Sequence, residues 1–466
     1  MLPLVKEIAW IDPVTVFGQV AHEPGSIFLD SALQPSSLGK YSFIALDPFE
    51  SLESIKDISR RSKEKTNNPF DLMQNILREY PQKLLPHLPP FQGGMAGFLG
   101  YSLCRYLENL PSHQFDDMEF APFYVGLYDL VMGFDLISKK VYLFSSGYPE
   151  KEEKKREARA KARLEALMKI LDKVQPLPNI PKIYIKPEAI ETNFTKFQYF
   201  AAVQKTIDYI YAGDIFEANI SQRFKANLPE GLSPFDLYRR VRSQNPGAFA
   251  AYLNSPDCVI ASVSPERFLK LDQNEVETRP IKGTIPRGKN SNEDSVLAKR
   301  LLESEKDRAE NIMIVDLMRN DLSRVCKPYT VEVPKLCALE RFSTVHHLVS
   351  VVKGELKPEY NAIDLLKATF PGGSITGAPK IRSMEIIAEI EPTERGPYCG
   401  SLGYIGFNGQ MDMNILIRSY CIKGNTVTFQ AGGAVVSDSI PINEYQESLA
   451  KAQALQNCLT QECDSL

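Results

Sequence analysis

Two stretches far apart in the chain alternate between apolar and polar residues. Phe216, Ala218 and Ile220 alternate with Glu217, Asn219 and Ser221, and Met411, Met413, Ile415 and Ile417 alternate with Asp412, Asn414 and Arg418. Side chains of a strand point to opposite faces in turn, so each stretch predicts a strand with one apolar and one polar face. Strands of a doubly wound parallel sheet are covered on both faces and read as continuous apolar runs. Half-polar strands instead predict antiparallel sheets with one face turned to a helix layer or a site. The expected fold class is α+β.

Helical spacing is also present. Phe200, Val203, Ile207 and Ile210 share a face, and Gly213 supplies a C-terminal stop. Residues 151–174 carry a run of charge whose last part sets Leu164, Leu167, Met168 and Leu171 on one side, as in an amphipathic helix with a solvated outer face. The following PLPNIPKIYIKP reads as a linker. It divides an N-terminal region, 1–180, from a second region, 185–466. Length alone, 466 residues, suggests two or three domains.

The net charge of −4 gives no reason to expect a nucleic-acid partner, and any affinity for anions must come from a local pocket. The N-terminus shows no signal-peptide pattern. No apolar run approaches the roughly 18 residues of a membrane span, so a cytoplasmic protein without a membrane partner is expected. The eight cysteines are scattered without a CxxC pair, and they are expected to be reduced and mostly buried. Five histidines, none at metal-type spacing with a cysteine, argue against zinc.

Several segments of the second region have compositions that a plain core does not need. RPIKGTIPRG at 279–288 sets Lys282 between Arg279 and Arg287. If the three converge, the ammonium form of Lys282 is disfavoured and the amine becomes nucleophilic. The same spacing also suits a surface turn with solvated cations. EKDRAEN at 305–311 closes a helix expected to start at Ser291, with Asp294 completing a capping pattern. Asp307 and Glu310 share a face, as do Glu444 and Glu447, with Lys451 one turn on. Two such carboxylate pairs can hold Mg²⁺, although acidic pairs are also common on exposed helices. FPGGSITGAPK at 370–380 either donates backbone N–H groups to an anion or merely turns the chain. It is neither a P-loop nor a GxSxG elbow. Adjacent His346 and His347 sit in an apolar setting, where one is expected to face inward, with general acid/base work as the sharper alternative.

Together these segments resemble the chorismate-utilising enzymes, the family of anthranilate, aminodeoxychorismate, isochorismate and salicylate synthases. The resemblance runs from SPERF at 264–268 through RPIKGTIPRG, KDRAEN, IVDLMRNDLSRV, HHLVS, GGSITGAPK, RGPYCGSLGYIGF and DMNILIRS to AGGAVVSDS and EYQESLAKA. FLDSALQPSSLGKYSFIALDP at 28–48 and FQGGMAGFLGY at 91–101 resemble motifs of the family's component I chains, so most of the chain is covered. The resemblance implies one α+β body in which two antiparallel sheets stack as a sandwich, helices outside, with the site at its edge. It implies Mg²⁺ on Glu310 and Glu447, with Asp307 and Glu444 behind them, binding the ring carboxylate of chorismate. Tyr398, Arg418, Lys451 and the backbone at Gly432 and Gly433 match positions that hold the substrate's carboxylates. Ser374 and Thr284 match substrate-contacting positions, Glu266 the general acid/base, and His347 the active-site histidine.

Lys282 separates the branches. PIKGT resembles the aminodeoxychorismate synthases, whereas anthranilate synthases, the alternative, generally read PIAGT. In the first branch the lysine is held to add at C2 as the C4 hydroxyl leaves, and ammonia then attacks C4 and expels the lysine. Isochorismate and salicylate synthases carry a water-activating lysine where this chain has Glu217, which argues against water as nucleophile. Glu217 also departs from the glutamine found in many aminodeoxychorismate synthases. No GxCxG elbow is present, so a separate glutamine amidotransferase subunit is implied as the source of ammonia. The family also has a tryptophan site, and Ser31, Tyr41 and Ser42 lie in the matching motif.

Overall fold

The computed structural model describes residues 2–33, 38–54, 68–342 and 345–461. Cys463 and residues 34–37 of the N-terminal motif lie outside them. The chain forms two large antiparallel sheets, one of twelve strands and one of ten, with helices on their outer faces, and the expected α+β class is correct. The larger sheet runs from Leu4–Ile8 at one edge to Gly377–Ala378 at the other. The smaller runs from Ile281–Pro286 to Glu50–Leu52. Both mix the two halves of the sequence. Ile27–Asp30 pairs with Phe249–Asn254 in one sheet, and Gly94–Leu99 pairs with Ser401–Gly406 in the other.

Phe43, Phe98, Tyr124, Tyr128, Leu253, Leu402 and Tyr404 fill the space between the sheets. Phe91 stacks on Tyr404 at a ring separation of 4.5 Å. Each such buried ring contributes about 1.5–3 kcal/mol through apolar area removed from water. The outer face of the smaller sheet packs on helices Pro69–Glu79, Glu305–Ser323 and Ala362–Thr369. The larger sheet packs on Glu153–Leu171, Pro234–Gln244 and Pro441–Thr460. In Glu153–Leu171 the leucine face behaves as its spacing predicts. Leu167 is buried, and Leu164, Met168 and Leu171 pack around it. The segment read as a linker is itself packed, with Leu177, Ile180 and Ile185 against the same core and the Ile185 N–H on the Leu459 carbonyl at 2.9 Å.

Three local expectations need correction. The first alternating strand begins at Glu217, and Phe216 is 70% exposed while Glu217 is fully buried. The polar face is therefore largely dry, with Glu217 and Ser221 buried and Asn219 half-buried. The second strand stops at Asn414, because Arg418 has a φ of +53° and the chain must leave the sheet before it. The helix expected to run from Ser291 through EKDRAEN is two helices, Ser291–Leu302 and Glu305–Ser323. Ser304 breaks it, its side chain accepting the Asp307 N–H as an N-cap, so EKDRAEN opens the second helix. The first is capped by Asn290, and Asp294 instead pairs with Arg287. Among the described residues, no helix is long and apolar enough to cross a membrane.

Candidate active site

Lys282 lies on the edge strand Ile281–Pro286, whose register against Val345–Glu355 shifts between Ile281 and Thr284. Gly283 has a φ of +82°, and a Cβ there would meet the Asp307 side chain at 3.0 Å. Only glycine lets the strand bulge this close to the helix Glu305–Ser323. The helix is fixed in turn by Asn311, which donates to the Leu348 carbonyl at 3.2 Å. The outcome is a lysine turned inward. Its Nζ donates to Glu217 Oε1 at 2.7 Å, and both side chains are buried.

The expected convergence of Arg279 and Arg287 on Lys282 does not occur. Arg279 pairs with Glu340 at 2.5 Å and Arg287 binds Asp294 at 2.6 and 2.8 Å. Both lie outside the strand, one before it and one after, and each is held by a carboxylate of its own. Burial opposes the charge of Lys282, but Glu217, Glu310 and Glu266 outweigh it and hold the pKa above the ordinary lysine value. The resting site thus stores an ammonium, the reverse of the sequence expectation.

Glu266, buried at the start of Arg267–Asp272, accepts a hydrogen bond from Ser374 Oγ at 2.5 Å. Burial pushes its carboxyl up to about 7, and Ser374 and Lys282 pull only partly the other way. Ser374 sits in the short turn Gly373–Ile375. Lys380 of the same glycine-rich loop is turned away from the site. Its Nζ pairs with Asp321 and donates to the carbonyls of Thr369 and Pro371 at 2.8 and 2.9 Å, tying down the base of the turn.

His347 and His346 are both buried and point to opposite sides of their strand. His347 Nδ1 and Thr284 Oγ1 share a hydrogen bond of 2.8 Å, and His346 Nε2 meets Asp294 at 2.9 Å. Burial, then Arg418 and His346, push the His347 pKa down to about 4, so the ring is neutral at neutral pH. Burial also pulls the Arg418 pKa down against the opposing effect of Tyr398, which is itself buried. Arg418 is anchored on the Lys451 carbonyl, and Lys451 Nζ reaches Gly432 O at 2.9 Å and Glu447 at 2.7 Å. A partly dehydrated guanidinium, a neutral imidazole and an ammonium are thus linked in one set, Arg418 to the Lys451 carbonyl and within electrostatic reach of His347, which suits an anionic ligand.

Gly432 pairs with Ser221, and a Cβ there would lie 2.2 Å from the Ile220 carbonyl oxygen. At Gly433 a Cβ would instead approach Glu444 Oε2 and Glu447 Oε1 at 3.1 and 3.2 Å. One glycine allows the strands to close and the other keeps the acidic cleft open. Gly432→Ala is expected to cost about 1–3 kcal/mol of overpacking, measured as a lower denaturation midpoint.

Glu310, Asp307, Glu444 and Glu447 come from the two helices as expected. Among the described residues, no three metal-ligating side chains stand close enough to hold an ion between them. Lys306 lies where the carboxylates face one another, 3.9 Å from Glu310 and 3.4 Å from Glu444. Burial and, among its neighbours, Glu217 and Asp307 raise the Glu310 carboxyl to about 7 against Lys282 and Lys306, and Glu444 Oε2 is buried without a hydrogen-bond partner. Excess negative charge on hard oxygen donors fits a divalent cation such as Mg²⁺, completed by water and a ligand anion. Lys306 was missed because EKDR reads as a solvated run. Also missed were Glu391 and Arg395. Glu391 accepts from Ser221 N and Oγ at 2.7 and 2.9 Å, and Arg395 donates to Asn219 O at 2.7 Å. They clamp the Glu217–Asn227 strand from the loop after the helix Lys380–Ile390, where no local spacing signals the pairing.

The motif at 28–48 borders a separate cavity of about 470 Å³, lined by Ser31, Tyr41, Tyr404 and Arg267 among others. None of Lys282, Glu266, Glu310 or Glu447 lines it. Ser42 does not line it either. Its hydroxyl is fully buried, accepting from Ser31 N at 3.1 Å and donating to Asp30 at 3.4 Å.

The family model described as chorismate binding enzyme matches residues 27–457. The aminodeoxychorismate synthase component 1 of Bacillus subtilis is 38% identical over 92% of this chain and 91% of its own. The anthranilate synthase component 1 of Thermus thermophilus is 37% identical over 95% and 94%. The solved anthranilate synthase component I of Streptococcus pneumoniae superimposes with a TM-score of 0.78 at 32% identity, covering 91% of this chain and 92% of that one.

Proposed function

The chain belongs to the chorismate-binding enzymes, and on that premise we propose that it aminates chorismate at C4 to give 4-amino-4-deoxychorismate. Relatives of two activities match almost equally well, so identity does not select between them. The observation that carries the reading is the inward amine of Lys282, buried beside Glu266 and Ser374. An alanine at 282 could offer no nucleophile there.

In this reading the neutral Lys282 amine attacks C2 of the ring, the ring double bonds shift, and the C4–O bond breaks. Glu266, which holds its proton up to about pH 7, protonates the departing hydroxyl, so that water leaves. Ammonia then forms the bond to C4 as the bond from Lys282 to C2 breaks. Atoms balance as chorismate plus ammonia giving aminodeoxychorismate plus water. Arg418 and Lys451 hold the carboxylates, and Ser374 and Thr284 orient the ring edge. Neutral His347, fixed by Thr284, offers a hydrogen bond without adding charge. Glu310 and Glu447, backed by Asp307 and Glu444, would hold Mg²⁺, which supplies charge neutralisation for the ring carboxylate.

Ammonia is proposed to come from a separate glutamine amidotransferase subunit in the cytoplasm. The seven described cysteines are buried, and burial pushes Cys104 up to about 12, which leaves no thiolate there at neutral pH. The cavity beside Ser31 and Tyr41 is proposed as a tryptophan site. The reaction reading is tested by incubating the protein with chorismate, Mg²⁺ and ammonium. The expected outcome is 4-aminobenzoate only after an aminodeoxychorismate lyase is added. Fluorescent anthranilate formed without the lyase would assign the chain to the other branch.

A further inference from the structure

A lysine that acts as a nucleophile must first lose a proton, and in this site the proton has one short route. Lys282 and Glu217 are both buried, and among the described residues the ammonium donates to Glu217 and to no other side chain. Glu217 is held rigidly for the purpose. Its strand is paired on one side with Gly377–Ala378 and on the other with Thr426–Val435, and its carbonyl accepts from Ser383 Oγ at 2.9 Å. Asn219 Nδ2 sits 3.5 Å from Glu217 Oε1, while Oε2 is buried without a partner. One oxygen thus holds the ammonium and the other is free to carry a proton.

We propose that Glu217 is the base that takes the proton from Lys282, storing it as a carboxylic acid while the amine attacks and returning it when the amine is expelled. This rests on the reading of Lys282 as nucleophile. In the step, an ammonium–carboxylate pair becomes an amine–carboxylic acid pair. No proton enters or leaves the site, and no oxidant or further reactant is needed. The other charges facing the pair are Glu266, from the start of Arg267–Asp272, Glu310, from Glu305–Ser323, and Glu447, from Pro441–Thr460. All three favour the ammonium at rest. An anionic ligand shielded by the Arg418 and Lys451 side, with cation charge on the acidic cleft, weakens that hold and lets the proton cross.

A transfer inside the pair leaves its proton count unchanged, so the lysine step adds no pH dependence around neutrality. Glu217→Gln removes the acceptor. Lys282 must then release its proton to solvent, and kcat should acquire a limb that rises tenfold per pH unit as pH increases. At neutral pH kcat should fall by roughly 10²–10⁴-fold, the usual range for a lost general base. Glu217→Asp should keep the wild-type pH profile, without that rising limb, at a reduced rate.

The test measures kcat and KM for ammonia-dependent amination from pH 6 to 9 in the wild type and both variants. Alongside, pH-dependent acetylation of Lys282 by acetic anhydride is read by mass spectrometry. Labelling should begin at lower pH in Glu217→Gln, because the stabilising carboxylate is gone. A Gln variant whose kcat stays within threefold of wild type, or falls with an unchanged pH profile, or whose loss lies in KM alone, would overturn the proposal. If the wild type yields anthranilate, the reaction reading fails instead, and the labelling shift still reports whether Glu217 governs the Lys282 proton.

Discussion

Lys282→Ala is expected to lower C4 amination by roughly 10³-fold or more, the scale at which removing a covalent nucleophile leaves only binding and electrostatic catalysis. The substitution removes the amine that lies among Glu217, Glu266 and Glu310. Those carboxylates then lack their buried counter-charge, and they respond by taking up protons rather than staying ionised. The variant should therefore fold, with a thermal midpoint that falls more steeply as pH rises than that of the wild type. Initial rates and circular dichroism on the same preparation separate lost chemistry from lost structure. Retention of wild-type rate and product by folded Lys282→Ala would remove the covalent route.

Glu266→Gln is the second large effect, expected at roughly 10²–10⁴-fold in kcat/KM. The proton donor must be protonated, and its carboxyl sits at about 7 because burial dominates its surroundings. Wild-type kcat/KM should therefore decline as pH rises through about 7, and the glutamine variant should lose that limb along with the rate. The substitution should raise stability at high pH even as it lowers the rate. Between the ordinary glutamate pKa and about 7 the folded state binds the extra proton, so ionisation costs the native state stability as pH rises through that window. Glutamine carries no such charge. Above pH 7 the variant should unfold at a higher temperature than the wild type, and a lower midpoint there would show that Glu266 is held as a paired anion.

The parts of this molecule that sequence made legible are those set by local periodicity. The leucine face of Glu153–Leu171 and the stop at Gly213 follow from spacing and backbone freedom. The alternation at Met411–Asn414 shows on which face each side chain lies, though not where the strand ends. That depended on a left-handed φ at Arg418, a conformation that an arginine does not advertise. Ser304 was hidden for the opposite reason, since a serine between two helical runs reads equally as a helix interior or a cap. The carboxylate pairs were legible because i, i+3 spacing is local. The charge state of Lys282 was not, because it is fixed by Glu217 and Glu310, which only tertiary pairing brings to it. Spacing suggested two arginines as its neighbours, and carboxylates distant from Lys282 hold both elsewhere. Lys306 and Lys380 show the same divide, one a half-exposed cation whose pairing with Glu310 and Glu444 its charged run does not advertise, the other a loop lysine that braces carbonyls instead of binding a ligand.

The central claim is that the Lys282 amine bonds to the ring. Mixing the enzyme with chorismate and Mg²⁺ without ammonia, quenching in acid within one turnover and mapping peptides by mass spectrometry tests it directly. A mass gain on Lys282 equal to chorismate less one water is expected, absent in Lys282→Ala and discharged when ammonium is added before the quench. Active enzyme that forms aminodeoxychorismate yet never shows that adduct, or carries it on another residue, would contradict it.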